Sequence, residues 1–189
     1  MNIDRRLHLV IPIVDDEGKN SKVIAYVHSS SISSEVFHAY YKPMGRALGS
    51  IYQSGLFSMG PRLAHLSLRD AAKELGIWEG EHGVERGLVQ EIYRNTVFLR
   101  PGKEGWESIP YGQARAQKII TAEDADEIDG AIVFFTLASS LHRRVEAEGI
   151  ITEASRMWSA RIESLNSTEF QNSLATSKKD ESFGATAVA

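Results

Sequence analysis

The chain of 189 residues contains no cysteine, which excludes disulfides, thiolate metal sites and thiol nucleophiles. That absence fits a reducing compartment. There is no surplus of positive charge either: 21 Lys and Arg stand against 25 Asp and Glu, giving a net charge of -4. A dedicated nucleic-acid binder ordinarily carries a basic excess or stripe. The pairs Arg5-Arg6, Arg143-Arg144 and Lys178-Lys179 are too short and scattered to make one. Long apolar runs are missing as well. The most apolar stretch, Gly130 to Leu141, falls short of the roughly 20 residues that span a bilayer. The N-terminal apolar segment is interrupted by Pro12 and closed by Asp15-Asp16-Glu17, so it is not expected to act as a signal peptide.

Signatures of chemistry are equally scarce. No G-x-S-x-G elbow, Walker A sequence or G-x-G-x-x-G after a strand is present. His8, His28, His38, His65, His82 and His142 never stand four apart, so no pair of imidazoles shares a helix face in the zinc-binding manner. The acids Asp124, Asp126, Glu127 and Asp129 do not make a calcium loop. Ile128 and Asp129 occupy the places where that loop needs an oxygen ligand and a glycine. The cluster reads instead as a helix N-terminus enriched in negative charge. No metal, cofactor or catalytic residue is expected.

What is present is apolar patterning. Gly130 to Leu141 is apolar on every side of a helical wheel, and such a helix needs burial all round. Thr121 with Asp124 resembles a capping box and His142-Arg143-Arg144 suits a C-terminus, so one long central helix is expected over 122–147. Upstream, Leu7, Leu9, Ile11 and Ile13 alternate, Val23, Ile24, Tyr26 and Val27 form a second β-rich run, and turn residues separate them. This predicts a β-hairpin whose first strand is an edge or is bulged at Pro12. A lone hairpin is marginal in water, so it must pack on helices or pair with another chain.

Ser33 is the expected N-cap of the next helix, with Ile32 and Phe37 as its hydrophobic staple and Pro43 as a kink or break. Gly45 and Gly49 within it either weaken it or admit a second helix closely. Gly60-Pro61 opens a helix that runs to Leu75 and stops at Gly76. Further helices are expected over 84–99, 111–120 and 150–164, the last anchored by Met157, Trp158 and Ile162. Trp78 and Trp106 fall in expected loops, where an aromatic either covers the core edge or anchors an interface. From Ser164 onward Ser and Thr recur and apolar residues become isolated, the signature of a segment that stays flexible without a partner. Phe170 and Leu174, four apart, suit docking of one helical turn into a groove.

The expected fold is therefore mainly α. An N-terminal β-hairpin (1–30) packs on a helical body (31–163) with a long central helix, followed by a flexible Ser/Thr-rich tail (164–189). Trp78, Trp106, Phe170 and Leu174 are the expected partner-binding residues.

Three stretches carry a resemblance. They are Gly60-Pro61-Arg62-Leu63, Ala131-Ile132-Val133-Phe134-Phe135-Thr136-Leu137-Ala138-Ser139, and Ser164-Leu165-Asn166-Ser167-Thr168-Glu169-Phe170 with the residues after it. With the order of hairpin, helical body and Ser/Thr-rich tail, the chain resembles the tail assembly chaperones of long-tailed bacteriophages. The resemblance implies a non-enzymatic factor of the host cytoplasm that keeps the tape measure protein soluble and assists tail-tube assembly. It also implies tube subunits as partners and, in some members, a longer frameshifted form. Self-association is expected from the unfinished edge of the hairpin, and neither nucleic acid nor membrane is expected as a partner from the charge balance and the short apolar runs. One alternative is a permanent neck or tail component of the virion. Another is a small cytosolic enzyme using Glu81, His82 and Tyr111, which requires those three to converge in one cleft.

Overall fold

The structure, a computed structural model, describes residues 7–15, 22–55, 59–103, 105–155 and 160–181. Strands β1 (His8–Asp15) and β2 (Lys22–Ser30) form the expected antiparallel hairpin. Helices α1 (Ser34–Gln53) and α2 (Gly60–Glu74) follow. A π-helical turn (Glu85–Val89) then leads through α3 (Gln90–Arg94) into β3 (Thr96–Pro101) and β4 (Trp106–Pro110). The chain continues through α4 (Tyr111–Ala116), α5 (Ala122–Leu141), α6 (Arg144–Ser155), β5 (Arg161–Glu163) and α7 (Ser167–Glu181).

The hairpin is not alone. It is the middle of a five-stranded antiparallel sheet in the order β4-β3-β2-β1-β5. The architecture is therefore mixed α/β, and the expectation of a mainly α chain is corrected. Thr96-Val97-Phe98-Leu99, expected as the end of a helix, forms β3. There Thr96 Oγ1 donates to the Ile92 carbonyl at 2.8 Å as α3 ends. Its β-branched and aromatic residues suit a pleated surface once a neighbouring strand exists to pair with them. The Gly/Pro-rich loop expected over 100–110 is a second hairpin in which β4 is short. Pro12 sits where expected: β5 pairs only with His8–Val10, and the β1–β2 register shifts between Ile13 and Val14.

Alternation gives the sheet two apolar faces. Leu9, Ile11, Ala25, Val27 and Phe98 face the helices, while Val10, Leu99, Tyr26 and Val97 face the opposite side. Over the first face lies α5, buried from Ile128 through Ala138, as an all-apolar helix demands. It packs against α1, α2, α3, α6 and β1. The Thr121 cap is as expected, its Oγ1 accepting from the Asp124 backbone N–H at 3.1 Å. The helix ends earlier than expected. His142 is extended, its Nδ1 donating to the Ala138 carbonyl at 3.3 Å in the tautomer that carries the proton there, and α6 starts two residues on.

The N-cap of α1 is also as expected, with Ser33 Oγ accepting from the Val36 N–H at 3.3 Å. The helix runs through Pro43 without a break. Pro61 opens α2, and Gly76 follows it with φ +69°. The close helix approach expected at Gly45 and Gly49 lies elsewhere. A Cβ at either of those glycines meets nothing within 4 Å, whereas one at Gly130 would stand 2.1 Å from the Pro61 carbonyl oxygen. The last helix expected over 150–164 is replaced by α6 and β5. Ile162 packs on the core from β5, and Met157 and Trp158 lie outside the described residues.

Gly130→Ala should force α2 and α5 apart and destabilise the fold by about 1–3 kcal/mol, the usual cost of overpacking. Gly149→Ala, where an added Cβ meets nothing within 4 Å, should not. Urea denaturation of the two variants checks this, and equal midpoints would contradict the close approach.

Candidate partner-binding site

The stretch expected as a flexible tail contributes α7, which covers the sheet face opposite α5. Its start is locally encoded. Asn166 Oδ1 accepts from the Glu169 N–H at 3.0 Å, and Glu169 Oε2 accepts from the Asn166 N–H at 3.1 Å. That is a reciprocal capping box, with Leu165 at N′ and Phe170 at N4 as its staple. Expected tail residues 182–189 lie outside the described residues.

Phe170 is 1% exposed and joins Val10 and Leu99 in an apolar cluster separate from the main core. Tyr26, Val97, Trp106, Leu165 and Leu174 pack around it. The Phe170 ring meets Tyr26 edge-on at 5.4 Å between centroids, and Tyr26 meets Trp106 at 5.4 Å. The Arg161 guanidinium lies 5.4 Å over Phe170 from β5. Gln171 Nε2 donates to the Trp106 carbonyl. Three of the four expected partner-binding residues, Trp106, Phe170 and Leu174, thus meet at one place, with Phe170 and Leu174 turned inward on their own sheet. Trp78 does not join them. It is half-buried against the main core, with His65 at 6.4 Å.

Beneath Phe170 lie two histidines that the sequence pattern does not single out as a site. His8 and His28 stack at 5.0 Å, and His28 is 5.9 Å from Phe170. His28 Nε2 donates to the Leu165 carbonyl at 3.0 Å, so its Nδ1 is an acceptor, buried and without a hydrogen-bond partner among the described residues. Burial lowers the His28 pKa below 6.5, against smaller opposing effects of the Leu165 carbonyl and the Glu163 charge. One signal in the sequence points to them, since His8 and His28 fall on the same strand face as Val10 and Tyr26.

Among its described side chains, α7 rests on the sheet through Phe170 and Leu174. Burying one Phe stabilises by roughly 1.5–3 kcal/mol and a good cap adds about 1.

A second constellation is polar. Asp129, 1% exposed on α5, accepts from Tyr111 at 2.8 Å on Oδ1 and from Tyr93 at 2.8 Å on Oδ2. Arg115 Nη2 lies 3.1 Å from Oδ2, and Nη1 donates to the Tyr93 oxygen at 3.2 Å. Burial first, then the Asp129 charge, raises both phenol pKa values far above the usual range, so the tyrosines remain donors. Burial also raises the Asp129 pKa, opposed by the two phenols and Arg115. The network ties α3, α4 and α5 together, and of the four groups only Arg115 is exposed. Asp129 is therefore not one of the helix-capping acids among which its sequence neighbours place it. It stands two turns into α5, beyond the reach of the helix dipole.

The enzyme alternative needs Glu81, His82 and Tyr111 together. Tyr111 is fully buried with its hydroxyl on Asp129, whereas Glu81 and His82 are exposed. A groove of about 550 Å³ between α1 and α2 is lined by small and polar residues such as Gly45, Gly49, Ser67 and Ala71, and the Arg46–Glu74 ion pair at 2.9 Å belongs to its lining. It lacks the apolar walls of a ligand pocket. Comparison with known proteins gives no match to a family model, to a curated protein or to a solved structure.

Two outcomes follow from these geometries. Asp129→Ala removes the shared acceptor of both buried phenols and Arg115, leaving Tyr111 only the Ala125 carbonyl at 3.3 Å, and should cost roughly 3–5 kcal/mol, with Tyr111→Phe costing roughly 1.5–3. Urea denaturation reads both, and a near-neutral Asp129→Ala would contradict the network. A lowered His28 pKa means that protons favour the undocked state. Docking of α7 should be complete above pH 6.5 and weaken as pH falls from there to the native His28 value. The groups facing His28 are His8 on β1, Glu163 on β5 and Phe170 on α7, with Arg161 over the latter. Amide protection of α7 between about pH 7.5 and about pH 5 measures this, with His28→Gln as the non-titrating control. Constant protection across that range would exclude the effect.

Proposed function

We propose that the chain is a tail assembly chaperone of a long-tailed bacteriophage, acting in the host cytoplasm by binding the tape measure protein and assisting tail-tube assembly. The observation that carries this reading is the second apolar cluster. Trp106, Tyr26, Val97 and Leu99 form a surface separated from the main core by the sheet itself and covered by one helix through Phe170 and Leu174. A holdase needs apolar contact area that can be uncovered and covered again. It has no use for a catalytic constellation, and the buried tyrosine–aspartate network serves to tie helices together. Among the described residues no helix is long and apolar enough to cross a membrane. The resemblance in the Gly60–Leu63, Ala131–Ser139 and Ser164–Phe170 stretches supplies the phage setting.

Affinity capture of the tagged chain from cells producing the whole phage tests the proposal. The expected result is recovery of a very long helical protein and a tube subunit, with the tagged chain missing from finished particles. Its presence in particles would make it a virion component, and recovery of the chain alone would refute the chaperone reading.

A further inference from the structure

The apolar platform on the sheet is larger than the helix that sits on it. Phe170 and Leu174 cover Val10, Leu99 and part of Tyr26 and Trp106, which remain half-buried. Beyond Tyr26 the same face reaches Pro12, its register partner, which is half-buried, just before the register shift between Ile13 and Val14. The helix on this platform carries its anchors on one stripe, Phe170 and Leu174, while Thr168, Glu169 and Asn172 are exposed. Among its further fastenings are the Gln171 bond to the Trp106 carbonyl, the Leu165 carbonyl bond to His28 and the Arg161 guanidinium over Phe170.

We infer that α7 is a built-in stand-in for the partner. It occupies in cis a helix-receiving site on β1–β4, and the partner is an amphipathic helix with an aromatic residue, an amide side chain directly after it, and a leucine or similar aliphatic residue four positions on. The aromatic fills the Tyr26–Trp106–His28 pocket as Phe170 does, and the amide reaches the Trp106 carbonyl as Gln171 does. The half-exposed Tyr26 and Trp106 give the incoming helix a first contact before α7 leaves. On this account Phe170 and Leu174 are the plug rather than the hook. The inference rests on the partner-binding reading above but not on the identity of the client.

The two roles predict opposite signs, which makes them separable. A fluorescein-labelled peptide of residues 165–181 is titrated with the full-length wild-type chain and with full-length Phe170→Ala/Leu174→Ala. Loosening α7 raises the fraction of open platform, so the double variant should bind about tenfold tighter or more. Adding Trp106→Ala should abolish the gain. Affinities within about twofold of each other, or a gain indifferent to Trp106→Ala, would overturn the inference. Should the double variant fail to fold, as read by circular dichroism, hydrogen exchange of the wild type decides. Saturating peptide should strip protection from α7 amides and leave β1–β3 protected, and an α7 that stays protected would overturn the inference.

In capture from phage-producing cells, the double variant should retain more client than wild type, and reduced capture would restore Phe170 and Leu174 as hooks and refute the plug. Peptide exchange without client capture by either protein would uphold the stand-in and sink the chaperone proposal alone. A wild-type dimer in sedimentation analysis that dissociates in the double variant would assign the platform to α7 of a second copy and overturn the client assignment.

Discussion

The burial of α5 is the constraint on which the rest of the structure depends. A helix with no polar face must be surrounded, and α1, α2, α3, α6 and the sheet at β1 share in covering it. Thr136 turns its hydroxyl back onto the Ile132 carbonyl at 2.8 Å, and two further interruptions in the apolar surface are explained by what they meet. Gly130 lets the α2 backbone come close at Pro61, and Asp129 reaches the two phenols and the guanidinium that fix α3 and α4. Arg62 of α2 pairs with Glu127 nearby at 2.9 Å, so the same turn of α5 joins three neighbouring elements. A single helix thus sets both the packing and the polar ties of the interior.

The sheet follows from that helix and creates a second problem. Strands that alternate between two apolar sets cannot leave one of them to water, and α5 with its neighbours covers only one face. The other face is covered by α7, whose start is capped reciprocally and whose described apolar contacts are Phe170 and Leu174. The inner cluster is large and the outer one small among the described residues. Surfaces that exchange partners are drawn from the less stable parts of a fold, and on the proposal made above that part is the outer layer.

Helix starts are legible in the sequence because each is written locally. Ser33, Gly60-Pro61 and Thr121 carry their signals within a few residues, as does the hairpin turn between β1 and β2. The strands β3, β4 and β5 are not, because each is short and has no meaning until a neighbour supplies its hydrogen bonds. Pro101, Gly102, Gly105 and Pro110 read as a loop for the same reason. The end of α5 at His142 depends on tertiary packing, with neither glycine nor proline to mark it. Around the candidate site the result is mixed. The Phe170–Leu174 spacing and the isolated Trp106 are visible, and the grammar that locates α1 also fits Leu165, Asn166, Glu169 and Phe170. The Ser and Thr content masks it. Asp129 is obscured by its acidic neighbours, although its depth in the helix sets it apart.

Native-state hydrogen exchange across the whole chain, resolved by element, measures the central claim that the two faces of the sheet are separately held. Amides of α7 should open at a free energy well below that of α5, β1 and β2, which should exchange only through global unfolding. Equal opening free energies for α7 and α5 would make the chain one cooperative unit and leave no layer free to yield its place to a partner.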